Sequence, residues 1–125
     1  PDLSDFYLGV YGSMFGNDPN ATINEYVANY TAMHGEAPIT AHSMTGYSLI
    51  EAWVMAVERA GSFDADAVRQ ELDKFDKEQL LVGPTSYSPD LHINLFRGLQ
   101  MMEVQNGKHA PLMRYTAEKV PPITF

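Results

Sequence analysis

The stretch "AHSMTGYSLIEAWVMAVERAG" (Ala41–Gly61) is the most apolar helix-like run in the chain. From about Ser43 to Ala60 it has almost no polar side: Ser48, Glu51 and the pair Glu58-Arg59 are its only hydrophilic stripe. Such a pattern predicts a helix that is packed on most sides, with its polar stripe facing water. Its front end is polar and carries a histidine, so the start of the helix is expected at a surface.

A second helix precedes this one, and a third follows it. From about Asn20 to His34 an apolar stripe repeats at helical spacing, and Gly35 supplies a left-handed end. Asp18 and Asn20 are rival caps for its start. After Gly61, Asp64 is a plausible cap for a third, mostly acidic helix. The stripe of the earlier helix consists of Ile23, Tyr26, Val27, Tyr30 and Met33.

Strands are predicted at both ends of the chain. "FYLGVY" (Phe6–Tyr11) is aromatic and β-branched, and a loop rich in Gly, Asn and Pro follows it. Near the other end, Asn106-Gly107 is typical of a tight hairpin turn between two strands. The tail "EKVPPITF" is expected to be extended because of its prolines.

Composition excludes several classes of function. The 125 residues carry a formal net charge of −8, which disfavours nucleic acid as a partner. The chain has no cysteine, so thiolate chemistry and disulfides are excluded. The four histidines lie far apart, and an EF-hand loop that began at Asp64 would place Arg69 and Phe75 where Gly and Glu are required. We therefore expect no metal, no cofactor and no enzymatic activity.

A series of short motifs, in order and spacing, resembles one family. They are the helix end "HGEAP", the helix start "GYS", the run "ERAGS" followed by "VR", and "GPTSYSPDLH" before the hairpin with "VQNGK". The chain resembles the C-terminal third of type I periplasmic solute-binding proteins of the branched-chain amino-acid class, which serve ABC importers.

The resemblance implies a partial α/β fold with three helices and about four to five strands, taken from a two-lobed protein. Residues 1–125 would form one partial domain. Within it, 1–17 would be a strand and hinge loop, 18–98 mainly a segment of the N-terminal lobe, and 99–125 a hairpin and tail that return toward the second lobe. The absent central strands would leave part of the Ser43–Ala60 helix exposed. The isolated chain is therefore expected to dimerise, for example by strand exchange, or else to exist physiologically with the rest of the protein present.

The resemblance also implies a function. The complete protein would be periplasmic or extracytoplasmic, would bind an amino acid, aromatic acid, amide or related small molecule between its lobes, and would deliver it to the membrane permease of an ABC importer. The alternative is a sensor or regulator with the same fold, for example of the amide-sensing type.

The candidate ligand contacts come from two places in the chain. In the family, the position five residues before the Tyr of "GYS" often lines the cleft and is commonly aromatic; here it is His42. Ser43 follows it, although a plain helix cap is the interpretation we favour for that residue. Tyr11, Ser13 and Met14 lie in the loop after the first strand, where open α/β sheets bind ligands.

Overall fold

The structure, a computed structural model, describes residues 3–94 and 97–116. It contains the three predicted helices and five strands, and so has the expected mixed α/β composition. In chain order the elements are β1 (Phe6–Val10), α1 (Ala21–His34), α2 (His42–Ala60), α3 (Ala65–Leu72), β2 (Glu78–Leu80), β3 (Gly83–Thr85), β4 (Leu99–Gln105) and β5 (Lys108–Tyr115).

The chain divides into two compact units. The first contains 1–46 and 99–115, and the second contains 47–98 and 116–125. The boundary at Gly46 and Tyr47 lies within α2, so this helix contributes its first turn to one unit and the remainder to the other. The expected assignment of 18–98 to one lobe and 99–125 to the return segment stays a prediction, and the tail from 117 onward lies outside the described residues.

The first unit is built on an antiparallel sheet in the order β1-β4-β5. Asn106 and Gly107 both have positive φ, as the predicted hairpin turn between β4 and β5 requires. Along β4 the buried positions alternate, and Met102 and Val104 point into the core. In β5 the register shifts opposite Met101 and Met102, so the strand carries an extra residue there.

The ends of α1 follow the sequence signals closely. Asn20, rather than Asp18, is the cap: its side chain accepts a hydrogen bond from the Thr22 N–H at 3.0 Å. Gly35 ends the helix with φ of 80°, and its N–H donates to the Thr31 carbonyl.

The second unit has a small apolar core under α2 and α3. Ala52, Phe75 and Leu80 are buried, and Met55, Leu72 and Tyr87 pack against them. The predicted cap Asp64 accepts a hydrogen bond from the Ala67 N–H at 3.0 Å, and α3 begins directly after it. No helix within the described ranges is long and apolar enough to cross a membrane.

Ser48 and Glu51 of the predicted polar stripe of α2 bond to backbone N–H groups of the second unit, whereas Glu58 and Arg59 are exposed as predicted. Ser48 is only 3% exposed, and its hydroxyl accepts from the Val82 N–H at 3.1 Å. It donates in turn to Glu51 Oε2 at 3.1 Å, which accepts from the Leu81 N–H at 2.9 Å. The prediction that Ser48 faces water is therefore wrong, because the backbone between β2 and β3 needs acceptors and Ser48 and Glu51 supply them.

The apolar side of α2 is correspondingly uncovered. Leu49 is 66% exposed and Trp53 is 45% exposed, so the helix is not packed on most sides. Part of this helix is therefore exposed, as expected from the sequence. The full outward stripe consists of Tyr47, Leu49, Ile50, Trp53 and Val54.

Candidate functional site

The loop that follows β1 is organised around one buried carboxylate. Asp18 Oδ2 accepts from the Ser13 N–H at 2.7 Å, and Oδ1 accepts from the Asn20 N–H at 2.8 Å. The side chain of Asn24 closes the arrangement: its Oδ1 accepts from the Asp18 N–H and its Nδ2 donates to the Asp18 carbonyl, each at 2.8 Å. Because Asp18 is buried, these bonds keep its carboxylate satisfied and fix the path of the loop.

A glycine lets this loop run close to two helices. A Cβ placed on Gly12 would lie 2.7 Å from Ile23 Cδ1 and 3.0 Å from Met44 Sδ. These side chains belong to α1 and to the first turn of α2, and both are fully buried. Only a residue without a side chain allows the approach, so Gly12 holds the loop against the start of α2.

This approach brings together two of the residues singled out from the sequence. The rings of Tyr11 and His42 meet edge to face, with their centroids 5.9 Å apart. The Tyr11 carbonyl accepts a hydrogen bond from Arg114 Nη1 in β5 at 3.3 Å. His42 is the first residue of α2 and is exposed, and its backbone N–H donates to Thr40 Oγ1 at 3.3 Å.

Ser43 does not cap α2. Its hydroxyl donates to the Thr40 carbonyl at 2.9 Å, whereas a cap would accept from an N–H group. Thr40 provides the accepting side chain at this helix start instead. Ser43 is half-buried beside His42, and its contact with ligand stays a prediction.

The remaining two candidates differ in accessibility. Ser13 is 1% exposed, and besides its bond to Asp18 its hydroxyl bonds to Asn17 Oδ1 and accepts from the Phe15 N–H. These bonds make Ser13 a residue that shapes the loop. Met14 is half-buried beside it. Ligand contact by either residue stays a prediction.

Sequence reasoning missed the contribution of the hairpin. The ring of Phe15 meets that of His109 edge to face at 4.9 Å, and Asn17 Nδ2 lies 3.4 Å from the His109 carbonyl. The two sides of this contact are more than 90 residues apart in the chain. The sequence shows only a phenylalanine in a polar loop, which does not indicate a partner. The contact could not be predicted because it depends on how β5 folds back.

The arrangement is suited to binding. Tyr11 and His42 offer an aromatic edge and imidazole nitrogens, which can stack with a ring or exchange hydrogen bonds with a polar group. Within 3–94 and 97–116 there is no group of three or more His, Cys, Asp or Glu side chains that could hold a metal ion.

A family model described as periplasmic binding protein matches residues 2–109. This is a family of binding proteins, in agreement with the prediction that the chain is not an enzyme. No functionally curated protein sequence matches the chain significantly.

Three solved structures share the fold of this chain. The leucine-binding protein LivK of Thermotoga maritima matches 90% of this chain with a TM-score of 0.68 and 20% identity. The branched-chain amino-acid transporter substrate-binding protein LivJ of Streptococcus pneumoniae, solved with isoleucine, matches 91% with a TM-score of 0.68 and 19% identity. A putative branched-chain amino-acid ABC transporter protein of Rhodospirillum rubrum matches 85% with a TM-score of 0.66 and 20% identity.

The chain spans only 30–31% of the length of these three proteins, so it corresponds to part of their fold. The motif series, the family match over most of the sequence and the shared fold agree with one another. This chain belongs to the periplasmic binding protein family.

Proposed function

We propose that this chain is part of an extracytoplasmic solute-binding protein. The complete protein would bind an amino acid or a related small carboxylate between two lobes and deliver it to the permease of an ABC importer. Two observations support the solute-binding role, namely the family match and the fold shared with proteins named for branched-chain amino acids. Location outside the cytoplasm and the permease as partner follow from the same likeness.

The Tyr11–His42 pair is the observation that carries the proposed site. Two residues 31 positions apart meet where the loop after β1 reaches the start of α2, and the exposed His42 is available to a ligand. A histidine here favours a ligand that has a ring, a carboxylate or another polar group on its side chain over a purely aliphatic one. The binding step would be closure of two lobes on the ligand, with no chemical change.

A ligand screen on the complete protein that contains this segment tests the proposal. Amino acids, aromatic acids and short amides are screened by thermal shift, because a ligand that binds only the folded state raises the melting temperature. We then expect His42→Ala to weaken the ligand that is found by about tenfold, the loss of roughly one good hydrogen bond or ring contact.

The chain offers a matched control for this substitution. His34 is also exposed and also contacts a tyrosine, since its ring lies 4.3 Å from that of Tyr30, but it sits at the far end of α1. His34→Ala should leave the affinity unchanged. Equal affinities for wild type and His42→Ala would refute the site assignment, while the solute-binding proposal would fail only if no compound binds.

The sensor alternative predicts the same binding and differs in the use that the cell makes of the bound ligand. Transport of the ligand by cells that carry the gene separates the two, because a sensor would bind without supporting uptake. Self-association of the isolated chain is also a proposal, and the outward stripe of α2 is the surface that supports it.

A further inference from the structure

The turn of the β4–β5 hairpin is held by the three residues that precede β1, Leu3–Asp5, which we call the clamp. The Asn106 N–H donates to Ser4 Oγ and the Gly107 N–H donates to the Leu3 carbonyl, each at 3.0 Å. The side chain of Gln105 adds a bond from Nε2 to Asp5 Oδ1, also at 3.0 Å. Consecutive residues of the turn are therefore bonded, one by one, to a segment at the other end of the sequence.

The same turn contains the asparagine whose side-chain amide is most easily lost. Asparagine is a thermolabile residue, and Asn106 is the only asparagine of the chain that is followed by glycine. Because glycine has no side chain, nothing shields the main-chain nitrogen of Gly107 from the side chain of Asn106. Both residues are exposed, so water and hydroxide reach the turn.

The reaction needs only water. The Gly107 nitrogen gives its proton to solvent base and attacks Asn106 Cγ, which closes a cyclic imide. The bond between Cγ and Nδ2 breaks, and Nδ2 takes up protons from solvent and leaves as ammonia. Water then adds to one of the two imide carbonyls and opens the ring. Opening on one side gives aspartate, and opening on the other gives isoaspartate, in which the main chain passes through Cγ.

The clamp opposes the first step of this reaction. The proton that the Gly107 nitrogen must lose is the one that it donates to the Leu3 carbonyl. The nitrogen must also turn toward Cγ, and the bonds to the clamp hold the main chain on both sides of the Asn106 side chain. Attack therefore requires that the turn and the clamp separate.

The clamp is weak enough to open. Its three residues are exposed, so water competes for each of its bonds. Asp5 has φ of 57°, a left-handed conformation that is unfavourable for a residue with a side chain. Exposed segments of this kind open locally while the rest of the protein stays folded. The fold should therefore slow the reaction at Asn106 without preventing it.

We propose that Asn106 is a site of spontaneous deamidation and that the clamp sets the rate. The inference goes beyond the proposed function and does not depend on it, since no ligand takes part. Aspartate preserves the main chain, tolerates positive φ as asparagine does, and adds one negative charge to a chain of net charge −8. Isoaspartate lengthens the main chain within the turn and so disturbs the pairing of Gln105 with Lys108.

Timed incubation of the 125-residue chain at mildly alkaline pH, followed by peptide mapping with mass spectrometry, tests the proposal. A free peptide of residues 103–109 gives the rate without the clamp, and the intact chain should convert more slowly. A chain that begins at Asp5 should convert about tenfold faster than the intact one, the change in opening that two lost hydrogen bonds produce. Asn29 is exposed in α1 and followed by tyrosine, so it serves as the internal reference and should stay unchanged.

A single substitution separates the clamp from the rest of the chain. Ser4→Ala removes one bond to the turn and should raise the rate about threefold. Ser62→Ala is the matched control, because Ser62 Oγ also accepts from a backbone N–H at 3.0 Å but belongs to the second unit, and it should leave the rate unchanged. Circular dichroism checks that each variant is folded. If the chain that begins at Asp5 is unfolded, the comparison of Ser4→Ala with Ser62→Ala decides.

Equal rates at Asn106 in the intact chain and in the folded clamp variants would overturn the proposal. An intact chain that converts as fast as the free peptide would do the same. So would an Asn106 that stays unchanged in the folded variants after the peptide has converted, or a chain in which Asn29 converts before Asn106.

Discussion

Ser48→Ala tests the unexpected polarity of α2 most directly. The substitution removes one oxygen and leaves no cavity of consequence, so packing changes little. It removes the oxygen that accepts from the Val82 N–H at 3.1 Å, and Val82 is only 1% exposed. It also removes the hydroxyl that donates to Glu51. Loss of a buried hydrogen-bond partner costs about 1–3 kcal/mol. For a chain of this length that amounts to roughly 3–10 °C in melting temperature.

The assay is urea unfolding of wild type and variant, followed by circular dichroism at a concentration where both have the same oligomeric state. Ser62→Ala is the matched control, because the Ser62 hydroxyl also accepts from a backbone N–H, that of the exposed Asp64, at 3.0 Å. Water can replace that acceptor, so we expect a loss below about 0.5 kcal/mol. If Ser48→Ala costs no more than Ser62→Ala, the hydroxyl does not support the backbone between β2 and β3.

Two further predictions concern the loop and the pH dependence. Gly12→Ala should destabilise the fold by about 1–3 kcal/mol in urea unfolding, because the added Cβ meets the buried Ile23, whereas Gly46→Ala has open space around it in α2 and should be neutral or stabilising. A hydrogen bond from Arg59 holds the pKa of Glu78 below its usual range. The stabilisation that this pair provides is therefore present at pH values above the pKa of Glu in the unfolded chain. It is lost as the pH falls through the lower pKa that Glu78 has in the folded protein. Urea unfolding between pH 6 and 3 should show a weaker acid dependence for Glu78→Gln; identical pH profiles would contradict this assignment.

The parts of the fold that depend on local signals could be predicted from the sequence. Gly35 and Gly61 end their helices with positive φ, and Asp64 caps α3. In α1, Ile23 and Val27 are buried as the stripe predicts, yet Met33 is 78% exposed. It lies in the last turn, where the helix has passed beyond the core.

The parts that could not be predicted depend on contacts between distant segments. Ser48 and Glu51 accept hydrogen bonds from the N–H groups of Val82 and Leu81, some 30 residues later in the chain. The helical periodicity of α2 does not indicate these distant donors. At the candidate site, the family likeness points to His42 and the position after a strand points to Tyr11, and neither signal indicates the other residue. Their contact depends on Gly12 and could not be read from either position alone.

The irregular β5 edge has a consequence for how the protein behaves when it is produced. Among residues 3–94 and 97–116 this strand pairs only with β4, and its other side is a sheet edge there. Pro111 lacks an N–H for strand pairing, and the register shift beside it bends the strand. Edges interrupted in this way resist the strand-by-strand stacking that leads to fibrils. Aggregates of the isolated chain should therefore dissolve in mild detergent and leave thioflavin T dark, because they would form by contact between helical surfaces.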